Sequence, residues 1–186
     1  MAGLLACGGR SPDLDAPDPA GRPVPPASTL EQVFVLESWG VPAEDTTVTF
    51  NAMEPRVILV RRGEPDNSVF AELRLAPGAI TPPVEQLTTT VTLRPRPGMF
   101  GLEIALEPGA QMTGQVDLTF SYAVHFVMPD AARQRYGTAI AFEHELFAAQ
   151  LGAAQEVLFL PSRRPASDLL ATTITAPGTY IIAAPR

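Results

Sequence analysis

Residues 115–126, QVDLTFSYAVHF, decide the fold. Val116, Leu118, Phe120, Tyr122, Val124 and Phe126 fall on one side; Gln115, Asp117, Thr119, Ser121, Ala123 and His125 fall on the other. Side chains along a strand point alternately to its two faces. Twelve residues of nearly unbroken period two therefore predict a β-strand, or two strands in line, with one face buried.

The flanking segments read as partners for this ribbon. QVFVLE (32–37), TTVTF (46–50), RVILVR (56–61), SVFAELRL (68–75) and TTTVTL (88–93) are short apolar or β-branched runs. Phe100, Leu102, Ile104 and Leu106 share a face in the run that Pro108-Gly109 closes. Turn residues punctuate the intervals, as at Gly40-Val41-Pro42, Glu54-Pro55 and Gly63-Glu64-Pro65-Asp66-Asn67. Pro129 and Asp130 open a run of helix formers that Gly137 ends, and Ala139–Phe147 adds a further turn or two, so one or two short helices are expected near 129–147. Leu146–Leu151 and Glu156–Leu160 bracket a hairpin turn; Leu169–Thr175 and Thr179–Ala184 are the last strands. The fold class this predicts is mainly β, an antiparallel β-sandwich over residues 30–186.

Composition narrows the function. The chain has 186 residues, a net charge of −7 and no basic patch; all 13 cationic side chains are Arg. Nucleic-acid binding draws on neutralised phosphates, so no nucleic-acid partner is expected. One Cys rules out an internal disulfide, and no run of 18 apolar residues exists to span a membrane as a helix.

Residues 1–7 end in Leu4-Leu5-Ala6-Cys7, with Gly8 following. This resembles a bacterial lipobox: Leu three before the Cys, a small residue before it, Gly after it. The resemblance implies lipidation of Cys7, membrane attachment through that lipid, and an extracytoplasmic location in the periplasm or at the cell surface. A working signal carries roughly 7–15 apolar residues, and six residues precede Cys7, so either the start lies upstream or the match is fortuitous and Cys7 is a free thiol. Residues 8–29 hold six prolines between Pro12 and Pro26 and few large apolar side chains, which predicts an extended, disordered tether.

Leu73–Leu93, with Ala76-Pro77-Gly78-Ala79-Ile80 at its turn, resembles the core signature of ZU5-like domains. Gly114–Tyr122 (GQVDLTFSY) and Ala176–Ala184 (APGTYIIAA) are similar to that family's later strands. The paired glycines that often open such domains are not evident here. The resemblance implies a β-sandwich used for protein contacts or as a structural module, with a protein partner. Some ZU5-type domains cleave themselves at His-Phe-Ser; here His125-Phe126 is followed by Val127, so self-cleavage is not predicted.

Catalytic, cofactor and metal signatures are not found. His144-Glu145 begins an HExxH pattern, but Ala148 takes the place of the second His. Glu143-His144-Glu145 reads as a solvated trio, with proton transfer or weak metal binding as the alternative. His125 reads as a hydrogen-bonded surface or inter-strand residue. Glu44-Asp45 and Glu64/Asp66 are loop carboxylates without the ordered spacing of a calcium loop, though calcium stays open. Trp39 packs at a sandwich edge or stacks on a carbohydrate. Arg163-Arg164 is a solvated loop or a corner for an acidic partner. No nucleophile is paired with a base, so the expectation is a non-enzymatic interaction module, with a carbohydrate- or ligand-binding module as the alternative and a hydrolase ranked last.

Overall fold

The structure, a computed structural model, describes residues 22–122 and 125–186. It is a mainly β protein: two antiparallel sheets face each other as a sandwich, with no closed barrel. The smaller sheet runs Ser162–Arg163, Leu169–Ile174, Val116–Ser121, Val69–Leu75, Arg56–Arg61. The larger runs Ser28–Thr29, Glu156–Phe159, Phe147–Leu151, Gly178–Pro185, Gly101–Leu106, Thr88–Pro95, Thr46–Asn51. The strand Gly178–Pro185 divides one edge between two neighbours. Its first half pairs with Gly101–Leu106 and its last three residues with Val33–Val35.

The strand Val116–Ser121 is central in its sheet, with Leu118 opposite Leu73 on one side and Thr172 on the other. Val116, Leu118 and Phe120 are fully buried and Asp117, Thr119 and Ser121 are not, as the alternation predicts. The ribbon does not run straight on to Phe126. Pairing with Val69–Leu75 ends at Phe120 opposite Ala71, and pairing with Leu169–Ile174 ends at Ser121 opposite Leu169. One residue further on, the Tyr122 amide still donates to the Asp168 carbonyl at 3.0 Å. The chain turns, with the His125 amide bonded to the Tyr122 carbonyl, and Phe126–Val127 pairs instead with Glu37–Ser38. Residue alternation reports which face is buried, not where the partner strands stop.

The main core lies between the sheets. Phe70 stacks on Phe100 at 5.3 Å between ring centroids and meets Phe120 edge-on at 6.1 Å. A second cluster, with Phe147, Val157, Phe159, Ile181 and Ala183, covers the opposite face of the larger sheet. This explains why Tyr180 through Ala184 are all buried: odd and even positions enter different cores. Residues 22–32 help cover the second cluster. Leu30 packs on it, the Arg22 guanidinium lies 3.7 Å from the Phe147 ring centre, and Ser28–Thr29 pairs with Val157 and Glu156. The sheet thus begins at Ser28, inside the stretch read as a tether; the rest of that stretch up to residue 21, together with Cys7 and the lipobox, lies outside the described residues.

Both expected helices form. Asp130–Tyr136 ends at Gly137, whose φ of +75° suits glycine and whose amide bonds to the Arg133 carbonyl. Ala139–His144 is capped by Thr138, whose hydroxyl accepts from the Ala141 amide. They bury Ala132 and Phe142 in the main core.

Candidate functional site

The site grows from the end of the strand Arg56–Arg61. Ile58 and Val60 point inward, and two residues on, the same alternation carries Arg62 inward as well. The register of this strand against Val69–Leu75 shifts between Val60 and Arg61, so that Arg61 lies opposite Val69 and Phe70 is bulged. Arg62 is 2% exposed. Its Nη1 donates to the Val41 carbonyl at 2.7 Å and the Trp39 carbonyl at 3.3 Å, and its Nη2 donates to Ser38 Oγ at 2.9 Å. Nε is buried without a hydrogen-bond partner. The guanidinium carbon sits 5.5 Å from the Phe70 ring centre and 5.6 Å from that of Phe100, within cation–π range. Burial lowers the Arg62 pKa below the ordinary guanidinium value, and the nearby Asp66 carboxylate acts against that.

His125 lies beside it. Its Nε2 is 3.0 Å from Asp66 Oδ2 and 3.4 Å from Ser68 Oγ. The Ser68 hydroxyl, then the Ser68 amide, and the charges of His125 and Arg62 hold the Asp66 carboxyl below the usual carboxylate range against the opposing effect of burial. Ser68, His125 and Asp66 are the residue types of a nucleophilic relay, but their arrangement is different. A relay needs hydroxyl and carboxylate on opposite ring nitrogens; here both meet Nε2, and Nδ1 is buried without a partner. The Trp39 amide donates to the His125 carbonyl at 3.0 Å, and the two rings lie 6.2 Å apart. Trp39 is 57% exposed. It does not pack away at a sandwich edge; it stands over a corner whose backbone is tied from below by Arg62.

A pocket of about 140 Å³ opens at this corner, lined by Trp39, Arg62, Phe70, Pro97 and Met99 among others. Arg96, half exposed and 3.8 Å from Glu103, stands at its side.

The other residues singled out in the sequence do not converge here. Glu143 and His144 sit at the end of the second helix; burial pushes the Glu143 carboxyl up, with Arg164 and His144 acting against it. Arg164 is engaged within the fold, bonded to the Tyr122 hydroxyl and the Glu143 carbonyl, and Arg163 lies 3.6 Å from Asp117. Glu64 accepts a hydrogen bond from Asn67 Nδ2 at 2.6 Å, and Asp45 is 4.0 Å from Arg94. Among the described residues no group of three or more His, Cys, Asp or Glu side chains is arranged to hold a metal ion.

Sequence reasoning passed over Arg62, Ser68 and Asp66 as a unit. The signal for Arg62 was available: it continues the inward positions of Ile58 and Val60, where a cation is unexpected. Nothing comparable linked His125 to Asp66, 59 positions apart in number (125 − 66). No known protein family, curated protein or solved structure matches this chain.

Proposed function

We propose that this chain is a membrane-anchored, extracytoplasmic recognition module: a β-sandwich, held through a lipid on Cys7, that contacts a protein partner at its Trp39 corner in the periplasm or on the cell surface. The observation that carries the recognition half is Trp39. A large amphipathic ring stands 57% exposed on a backbone clamped by the His125 carbonyl and, through its own carbonyl, by Arg62. Exposed aromatic side chains on rigid backbones are typical anchors of interfaces, since little conformational entropy is lost when they bind. The anchoring half rests on the Leu4–Cys7 pattern and the Pro-rich stretch after it. The ZU5-like resemblance belongs to the same proposal, because it implies contact-making and not turnover. Enzymatic turnover forms no part of it.

Two measurements test it. In cells fed a palmitate analogue, the full-length protein takes up label and fractionates with membranes, and Cys7→Ser does neither; label in Cys7→Ser rejects the anchor. Cross-linking in the intact envelope yields a defined protein adduct that Trp39→Ala loses; an adduct indifferent to Trp39→Ala rejects this corner as the contact. A second reading, carbohydrate stacking on Trp39, is motivated by the same exposed ring beside a pocket. Glycan-array binding abolished by Trp39→Ala favours it over a protein partner.

A further inference from the structure

Three of the four most exposed large apolar side chains among the described residues share one corner of the fold: Val84 is 90% exposed, Leu87 74% and Met53 66%. Their turns adjoin, since the Ala52 amide donates to the Leu87 carbonyl at 3.0 Å and Asn51 pairs with Thr88. Both turns are held from within. The Met53 amide donates to Asn51 Oδ1 at 3.0 Å, and Asn51 Nδ2 donates to Glu54 Oε1 at 3.3 Å. The Gln86 amide donates to the Pro83 carbonyl at 3.1 Å, and Pro82 and Pro83 restrict the backbone that leads into this turn. A third turn, residues 107–110, lies against it: a Cβ on Gly109 would sit 3.5 Å from Pro83 Cβ. Apolar side chains scattered singly over a surface need no explanation. Three on adjoining, internally bonded turns form a patch that loses little conformational entropy when it is covered.

The charge around the patch is of one sign. Glu54 follows Met53, Glu85 follows Val84, and the third turn carries Glu107; residues 51–55, 76–87 and 107–110 contain no Arg. Arg56, the first cation beyond them, opens the next strand. Carboxylates one residue from Met53 and from Val84 argue against insertion into a bilayer, which would take them out of water. They argue against a second copy as well, because a two-fold contact through this corner would set Glu against Glu. A surface that is both apolar and cationic meets neither objection. We propose that the Met53–Val84–Leu87 corner docks a basic amphipathic segment of a partner protein, whose apolar side chains cover the patch while its Lys or Arg side chains meet Glu54 and Glu85. The inference goes beyond the recognition reading and does not depend on it, since that reading concerns Trp39.

The test titrates the ¹⁵N-labelled full chain with a capped amphipathic peptide of Leu and Lys, and with its Leu/Glu counterpart. The Leu/Lys peptide is expected to shift the Met53, Val84 and Leu87 amides to saturation, and the Leu/Glu peptide to leave them in place. Met53→Ser, Val84→Ser and Leu87→Ser combined should weaken the affinity about tenfold or more, with the fold kept because all three side chains are exposed. Glu54→Gln with Glu85→Gln should weaken it and flatten its salt dependence. Trp39→Ala should leave it unchanged. No saturable shift, equal shifts with both peptides, or an affinity indifferent to the triple Ser variant overturns the inference. So does a different occupant. Patch shifts on adding vesicles of phosphatidylcholine, alone or with phosphatidylglycerol, would assign a membrane. Shifts that grow with protein concentration alone would assign a second copy, and nuclear Overhauser contacts from residues 1–21 to the patch in the free protein would assign the chain's own N-terminal stretch. None of these outcomes bears on Trp39-dependent cross-linking.

Discussion

Asp66 Oδ2 lies 3.0 Å from His125 Nε2. This contact closes the loop after Arg62 onto the turn that follows the central strand.

The contact carries an acid-side pH dependence. Asp66 is held below the usual carboxylate range in the folded protein, first by the Ser68 hydroxyl and then by the Ser68 amide and neighbouring charge. A carboxyl with a depressed folded pKa contributes stability above its unfolded value, about 3.9, and loses it as pH falls through the folded value. Urea unfolding across the acid range should therefore show wild type losing stability there more steeply than Asp66→Asn, with the two curves converging at low pH. Parallel curves would refute this account of Asp66.

Gly40 is required twice over. Its φ is +86°, and a Cβ there would come 3.3 Å from His125 Nδ1. Gly40→Ala should destabilise the fold by roughly 1–2 kcal/mol from the left-handed backbone alone, with more from the displaced imidazole. Denaturation midpoints measure the loss, and the His125 ring resonances should move with it. An unchanged His125 signal would show that the ring is not packed against this glycine.

Phe70 joins the two sheets through Phe100 and Phe120 and lies beneath the Arg62 guanidinium. Phe70→Ala should cost about 3–5 kcal/mol, the usual range for a buried phenylalanine. Phe70→Leu, which keeps most of the volume, should cost clearly less. Equal losses for both would mean that ring geometry, not cavity volume, dominates at this position.

All three tyrosines are shifted the same way. Burial raises Tyr122, Tyr136 and Tyr180, the last to about 12. Tyr180 donates to the Ala176 carbonyl at 2.6 Å, Tyr122 donates to the Ser167 carbonyl, and the Tyr136 hydroxyl donates to the carbonyl of Pro185. A raised folded pKa means stability that is full below the unfolded value, near 10, and lost as pH rises through the folded value. Phenolate absorbance of the native protein should show no ordinary tyrosine, whereas in denaturant all three should titrate near 10. A native component titrating near 10 would contradict the burial of one of the three.

Much of the fold was legible because burial on one face leaves a mark on every second residue. Val116, Leu118 and Phe120 announced the central strand, and Pro129, Asp130 and Gly137 announced the first helix and its end. Tyr180–Ala184 was harder: an apolar run is equally consistent with one core or two, and what distinguishes them is the packing of Ile181 and Ala183 with Phe147, Val157 and Phe159 in a second cluster. For the candidate site, Trp39 and His125 drew notice as rare residue types. Arg62 did not, although it lies in phase with Ile58 and Val60. The cavity it lines is made by Pro97 and Met99, from a turn with no sequence pattern tying it to Arg62.

The order of residues along the chain by itself determined which stretches are strands, which face of each is apolar and where turns interrupt them, because these depend on side-chain polarity and local backbone preference. The tertiary structure alone decided that Phe126 leaves the line of Val116–Ser121 to pair with Ser38, and that Asp66, Ser68 and His125 share one ring nitrogen. It also decided that Arg62 ends up buried, held by the Trp39 and Val41 carbonyls and Ser38, with the Asp66 carboxylate near it. Those outcomes depend on which strand edges remain unpaired and on distances between segments far apart in the chain, and neither is encoded in local periodicity.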